Sequence, residues 1–421
     1  MLRLDPDAAF FAMKNPAASI LTIGDELLKG STLNTNAQFL GRELSGLGFC
    51  VKDQQSCRDS IQEIRTKLRA MFPVSELLMV SGGLGPTPDD RTRDAVAEFL
   101  GVPLIFSKSQ FALIRKLYRQ KKRRVPALVR QEALFPKQAI PLINRYGIAL
   151  GFSVTARGRV LIALPGVPSE LEKMFRAEVR PLLVRHFREL STRPALTVRL
   201  VGISEPDVMR KLGRDFFKEV FDFGIYPDFG EVALRIQADQ KQTVARARKK
   251  IKARLSRFLY AEGDFSLAAA VGKLLLRKNK TIAVAESCTG GLLASEITTN
   301  PGASRYFLGA LTAYSNRIKE SWLGVSHTVL AEKGAVSHET ARALAASIRE
   351  NMQASYGLAV TGIAGPGGGS PRKPVGLVYI ALASASRIRV WKENFWGNRL
   401  QVQRKAVKKA LEYLFRELVS C

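Results

Sequence analysis

Two stretches of the chain place a hydroxyl and an amine where acyl-transfer chemistry could use them. Ala285-Glu286-Ser287-Cys288-Thr289-Gly290-Gly291 follows a short apolar segment and precedes a helical pattern. A serine held on such a turn has helix N-terminal N–H groups nearby, which suits a nucleophile with a backbone oxyanion hole. The same position also fits an ordinary Ser N-cap. Cys288 is a rival nucleophile, with no His near it in sequence. The three histidines, His186, His327 and His338, lie far apart, which disfavours a Ser-His-Asp triad and leaves Lys as the base. Tyr314-Ser315-Asn316-Arg317-Ile318-Lys319 supplies Tyr314 to orient or relay a proton and Lys319 to accept it. An amine with an ordinary pKa of ~10.4 must be desolvated, or set beside another cation, to do so near neutrality. A surface lysine and a core-rim tyrosine are the plainer alternative.

A second chemistry is written at residues 82–92, GGLGPTPDDRT. Glycines after a strand let backbone N–H groups approach a phosphate or a ring closely. Asp89 and Asp90 follow at once, and Asp25 and Glu26 come after the first apolar strand pattern. Acids beside an anion-binding loop point to a divalent cation. A turn with an Asp helix cap explains the pair equally.

These segments need a scaffold that brings strand ends together. Strand patterns at 19–24, 76–81 and 159–163 alternate with helical patterns at 37–48, 61–72 and 108–124, and glycines follow the strands. Such alternation predicts an α/β unit with a mainly parallel sheet, whose ligands sit at the carboxyl ends of the strands. From 196 the texture changes to alternating strands at 195–201 and 232–237 and a basic helix at 242–258. A third unit begins near 264. Its helices are predicted at 265–278, 339–352 and 399–418, with a Gly-rich turn continuing as a helix over 287–297, and its strands at 281–285, 308–313, 358–361 and 375–383. The expected architecture is two three-layer α/β domains joined by a small α+β middle domain. The boundaries are a leader at 1–18, then 19–190, 195–262 (KH-like) and 264–421.

A chain of 421 residues with 46% hydrophobic content can build several cores, which excludes a disordered protein or a small disulfide scaffold. Four cysteines with no C-x-x-C pair argue against a zinc site and for a reduced compartment. No apolar run reaches the ~18 residues of a membrane span, and Asp5 and Asp7 stand where a signal peptide would be apolar. The expected location is cytoplasmic, with no membrane partner. Lys+Arg 65 against Asp+Glu 37 gives +28, which favours anionic partners. A nucleic-acid partner is disfavoured, because the basic stretches 115–124 and 246–257 do not interleave aromatics as stacking platforms would require and the middle segment lacks a GXXG loop.

Several motifs in order carry a family resemblance. Residues 24–30 (GDELLKG), Asn34-Thr35-Asn36, 82–92 and 164–170 (LPGVPSE) resemble the molybdopterin-binding-like domain of the CinA family, and 202–205 (GISE) and 226–232 (YPDFGEV) resemble its middle domain. The resemblance implies a metal-dependent ADP-ribose pyrophosphatase. Asp90, with Asp89, Asp25 and Glu26, would hold Mg²⁺ or a similar ion, and Gly82, Gly83 and Gly85 would line the substrate site. Residues 143–151 (INRYGIALG) depart from the pattern in lacking a proline before the last glycine, and Arg91 stands at an ordinarily apolar position.

Residues 285–291 (AESCTGG), 313–319 (AYSNRIK), 361–366 (TGIAGP), Gly369 and 373–376 (KPVG) resemble the CinA C-terminal domain, of the nicotinamide-nucleotide amidase type. That implies hydrolysis of nicotinamide mononucleotide (NMN) to nicotinate mononucleotide and ammonia, in pyridine nucleotide salvage, with no cofactor for this reaction. Ser287, Tyr314 and Lys319 match the family's catalytic residues. Backbone N–H groups around Thr289, Gly290 and Gly291 would hold the oxyanion. The loop with Gly362 and Gly365 would cradle the 5′-phosphate, with Thr361 or Lys373 adding a donor. The resemblance further implies small-molecule nucleotide substrates and a homodimer or larger oligomer. A non-catalytic pterin- or nucleotide-binding module, or a nucleic-acid-associated protein induced by competence or damage, is the alternative.

Overall fold

The computed structural model describes residues 15–120, 122, 124–187, 190, 193–219 and 222–420. Most of the predicted leader therefore lies outside the described residues, as do Lys121 and Arg123 of the basic run. The chain divides into two compact units, 1–193 and 194–421, and the second contains both the predicted middle domain and the last one.

In the first unit the strands are β1 (Ala17–Ile23), β2 (Cys50–Cys57), β3 (Leu77–Ser81), β4 (Leu104–Phe106), β5 (Leu134–Pro136), β6 (Ile140–Leu142), β7 (Gly151–Ala156) and β8 (Arg159–Leu164). Six of them form one sheet in the order β2-β1-β3-β8-β7-β6, while β4 pairs with β5. β2, β1, β3 and β8 run parallel; β7 and β6 return antiparallel. β1 starts at Ala17, so the residues that pair with β2 and β3 begin before the predicted leader ends. β1 is buried along its whole length because side chains alternate between two cores: Leu21 and Ile23 face one, Ala18 and Ile20 the other. The helix Thr35–Leu47 shows how local signals set the layers. Asn34 caps it by accepting from the Ala37 N–H at 3.0 Å, and Gly48 ends it at φ 98°. Phe39, Leu40 and Leu44 turn into the core.

The second unit holds β9 (Ala195–Val201), β10 (Asp222–Asp228), β11 (Glu231–Gln237) and β12 (Leu259–Glu262), an antiparallel sheet in the order β10-β11-β9-β12. One core covers it, built with the helix Lys241–Leu255. Val244, Ala247, Ile251 and Leu255 of that helix point inward, which leaves its lysines and arginines on a solvated face. Then follow β13 (Ile282–Glu286), β14 (Phe307–Thr312), β15 (Tyr356–Gly362), β16 (Leu377–Ala383) and β17 (Ile388–Asn394), in the order β14-β13-β15-β16-β17. β14, β13 and β15 are parallel; β16 and β17 are antiparallel.

The last sheet again separates two cores. One contains the helix Arg399–Ser420, through Val402, Ala406, Val407 and Leu414. The other contains the helix His338–Asn351, through Ala341, Leu344, Ala345 and Ile348. Gly357 of β15 permits this second contact, since a Cβ there would lie 2.1 Å from the Ala345 carbonyl oxygen. Both α/β sheets are thus covered on two faces. Among the described residues, no helix is long and apolar enough to cross a membrane.

Candidate active site

Parallel register brings the predicted amidase residues to one sheet edge. Glu286 of β13 pairs with Thr312 of β14 on one side and Val360 of β15 on the other. The next residues, Ala313, Ser287 and Thr361, therefore lie side by side on strands about 4.8 Å apart. The Ser287 N–H donates to the Val360 carbonyl at 2.9 Å, which anchors the turn to β15. Ser287 is 8% exposed.

Lys319 comes from the helix Asn316–Leu323, capped by Ser315, and is 1% exposed. Its Nζ donates to the carbonyls of Ala313 (2.8 Å) and Tyr314 (3.1 Å), beside the strand end that neighbours Ser287. Burial without a carboxylate partner pushes its amine below the ordinary lysine value. Burial also raises the Cys288 thiol to about 12. A thiol so placed is protonated near neutrality, which removes Cys288 as the rival nucleophile.

The oxyanion donors differ from expectation. The helix begins only at Leu292, and the N–H groups of Gly291, Leu293 and Ala294 all donate to the buried Glu286 carboxylate, at 3.0, 3.0 and 2.8 Å. The Gly290 N–H donates to the Ser287 carbonyl at 3.2 Å. Gly290 and Gly291 are therefore engaged, and Glu286 rather than Ser287 caps the helix. The carboxylate does so because it neutralises the positive helix end while satisfying three donors at once. The N–H groups of Cys288 and Thr289 take part in no backbone hydrogen bond among the described residues. The Thr289 hydroxyl is buried without a partner. The donors outside the backbone hydrogen-bond network thus sit one and two residues after Ser287. Replacing Glu286 with Ala leaves three backbone donors unmet, one of them buried. It is expected to destabilise the second unit by about 2–3 kcal/mol, read as a lower urea midpoint at unchanged m-value.

The tyrosine and the glycine loop meet a residue that sequence reasoning missed. Tyr314 is 59% exposed, and its Oη accepts from Arg399 Nη2 at 2.7 Å instead of meeting Lys319. Arg399 Nη1 donates to the Gly365 carbonyl at 2.9 Å, and Gln403 Nε2 donates to the Cys288 carbonyl at 2.8 Å. The first turn of the last helix thereby ties three loops together. Its helical pattern was legible, but no periodicity says which strand ends a helix start will cross. The Thr361 hydroxyl donates to the Ala335 carbonyl and Lys373 Nζ to the Lys333 carbonyl, so both predicted phosphate donors have protein partners. Gly362 lies under β16, where a Cβ would meet the Leu377 carbonyl oxygen at 2.7 Å.

The first unit has a separate cavity of about 590 Å³ at the carboxyl ends of β1 and β3, bordered by the loop after β8. Gly82, Gly83 and Gly85 line it, as expected for the loop. Gly82 and Gly83 have φ of 110° and 63°, and added Cβ atoms would meet the Ile23 carbonyl oxygen at 2.2 Å and Thr92 Oγ1 at 2.4 Å. Only glycine lets the loop approach β1 and the next helix this closely.

Of the four acids expected to bind a metal, Glu26, Asp89 and Asp90 line this cavity and Asp25 does not. Asp25 pairs with Lys29 at 3.1 Å and is absent from the cavity lining. Its Lys29 partner holds its carboxyl below the usual range. Asp90 Oδ1 accepts from the Gly85 N–H at 2.7 Å, and Oδ2 accepts from the Thr87 N–H at 2.8 Å and from the Thr87 hydroxyl. That carboxylate shapes the loop. Glu26 and Asp89 do line the cavity, joined by Asp59, Glu132 and Glu170, which sequence reasoning missed. They lie far apart in sequence and share no motif spacing, so only the fold gathers them. Among the described residues, no group of three or more His, Cys, Asp or Glu is arranged to hold a metal ion. Asp25 and Asp90 are engaged instead by Lys29 and by the glycine loop.

Comparison with known proteins places both units. A family model described as "CinA C-terminal domain" matches residues 264–418. One described as "Probable molybdopterin binding domain" matches 19–185. A CinA-like protein of Kosmotoga olearia is 37% identical over 414 residues, covering 96% of this chain and 99% of its own. A competence-damage inducible protein of Symbiobacterium thermophilum is 40% identical over 425 residues, covering 96% of this chain and 99% of its own. Among solved structures, CinA from Thermoplasma acidophilum is 34% identical, with a TM-score of 0.38. The match covers 40% of this chain and 99% of that one.

Proposed function

Because the chain belongs to the CinA family, we propose that its last domain is a nicotinamide-nucleotide amidase that hydrolyses NMN to nicotinate mononucleotide and ammonia. The observation that supports it most is the buried, carboxylate-free Lys319 amine at the strand end beside Ser287. In this reading Ser287 Oγ attacks the carboxamide carbon as its proton passes to Lys319 Nζ. The carbonyl oxygen becomes an oxyanion held by the Cys288 and Thr289 N–H groups and the Thr289 hydroxyl. Collapse breaks the C–N bond, the proton returns to nitrogen, and ammonia leaves. Water then attacks the acyl ester, again giving its proton to Lys319, which passes it to the departing Ser287 Oγ as nicotinate mononucleotide is released. Tyr314 and Arg399 stand at the exposed side of the site, where a guanidinium suits the substrate's 5′-phosphate. Ammonia release from NMN by the purified protein tests the reading; folded protein that releases none would refute it.

The first unit supports a second reading, a ligand-binding cavity without metal-dependent hydrolysis. The engagement of Asp90 by its own loop and of Asp25 by Lys29 is the observation that favours it. AMP release from ADP-ribose is expected to be absent with or without added Mg²⁺. Release that depends on Mg²⁺ would restore the pyrophosphatase.

A further inference from the structure

The turn that carries Ser287 is held peptide by peptide. The Gly290 N–H donates to the Ser287 carbonyl at 3.2 Å, and the Leu292 N–H donates to the Thr289 carbonyl at 3.1 Å. Those two bonds fix the Ser287–Cys288 and Thr289–Gly290 peptides from within the segment. The Cys288–Thr289 peptide lies between them, at the centre of a β-turn over residues 287–290. Its carbonyl is held by a side chain from outside the turn: Gln403 Nε2 donates to it at 2.8 Å.

The central peptide is the movable part of a β-turn, because types I and II differ by rotating it through about 180°. A full flip would carry Thr289 to a φ of about +80°, which a β-branched residue resists. Thr289 is not among the described non-glycine residues at positive φ, so the unflipped form is present. Smaller rotations meet no such barrier, and the Gln403 contact opposes them. In a planar trans peptide the carbonyl and the following N–H point in opposite directions. Fixing the Cys288 carbonyl therefore also aims the Thr289 N–H, which makes no backbone hydrogen bond among the described residues.

The clamp has a rigid mount. Gln403 lies one turn after Arg399 on the helix Arg399–Ser420, and the neighbouring Val402, Ala406 and Val407 are buried in the core. A side chain based on a packed helix keeps its reach more constant than one on a loop. A carbonyl can only accept, so the contact needs the donor half of the Gln403 amide.

We propose that Gln403 is a positioning residue for the amidase: it clamps the Cys288 carbonyl and thereby holds the Thr289 N–H at the angle from which it binds the oxyanion. This role rests on the amidase reading of the domain. Gln403 touches no reacting atom in it and acts through the Cys288–Thr289 peptide.

Steady-state ammonia release from NMN by the full chain, as wild type, Gln403→Met, Gln403→Glu and Gln403→Lys, is the experiment, with a thermal midpoint for each. Gln403→Met keeps the length and helix preference and removes the donor. It is expected to lower kcat by about 10- to 100-fold, since a misaimed oxyanion donor forfeits part of what its removal would cost. The KM for NMN and the thermal midpoint are expected to be retained. Gln403→Glu has the same shape but sets an acceptor against an acceptor, and is expected to be at least as slow. Gln403→Lys restores a donor on a long stem and is expected to recover most of the lost kcat. Unchanged kcat in the Met and Glu variants would overturn the role of Gln403 and leave the amidase standing. So would a raised KM at unchanged kcat, which would make Gln403 a binding residue. Equal loss in all three variants would also overturn it, because the donor would then not be what matters. Folded wild-type protein that releases no ammonia would overturn the amidase reading and this role with it.

Discussion

Ser287→Ala is expected to lower kcat for ammonia release from NMN by at least about 10³-fold, because no other group in the site can form the acyl intermediate. Cys288 cannot substitute. Its thiol is held protonated by burial, and its carbonyl is fixed by Gln403. The Ser287 side chain makes no hydrogen bond that the fold depends on; its backbone N–H to Val360 holds the turn and survives the substitution. The variant should therefore keep the wild-type melting temperature and its KM. Equal loss in kcat and kcat/KM would mark a contact made in the transition state, whereas a rise in KM alone would demote Ser287 to a binding residue.

Lys319→Met is expected to lower kcat by about 10²–10⁴-fold, the usual worth of a positioned general base. Methionine keeps the buried stem and removes the amine. The pH profile carries the more specific expectation. The base must be neutral, and burial lowers its pKa in the folded protein. Activity should fall as pH drops through that lowered value, and the acid limb should lie below the pKa of a solvent-exposed lysine. The stability linkage has a matching sign. Between the lowered folded value and the ordinary unfolded one, the unfolded chain binds the proton and the folded chain does not, so stability rises with pH across that window. Lys319→Met should abolish this rise. A wild-type acid limb unchanged in the Met variant would show that another group titrates.

The strand-and-helix plan was legible because it rests on local patterns. β9 was read to the residue, and the helices at 35–47, 61–71, 338–351 and 399–420 were placed to within a few residues, since each has a clear apolar stripe and two have a side-chain cap. Short or edge strands were not. β17 presents only partly buried residues at the sheet edge, and β4, β5 and β6 are three residues each, too short to show a period. The Gly-rich turn before the helix after Ser287 was read, but not the group that caps that helix. Glycines at 290 and 291 with φ of 63° and 98° extend the turn, and the capping group lies before the serine, on the strand.

The sequence by itself determined which residue types stand at which strand ends: the serine after β13, the tyrosine and lysine after β14, the glycines after β3 and β15. Strand and turn preferences are set by neighbours along the chain, and a parallel sheet sends all those ends to one side. What only the tertiary structure decided is which groups are already taken. Glu286 claims the helix donors, Asp90 its own loop, Lys29 the Asp25 carboxylate, and Arg399 the Tyr314 hydroxyl. Hydrogen bonds and ion pairs form between whatever atoms packing brings within about 3 Å, and sequence separation plays no part in that distance. The same reason explains why Glu132, which no motif singled out, is a buried carboxyl group without a hydrogen-bond partner at the wall of the first cavity.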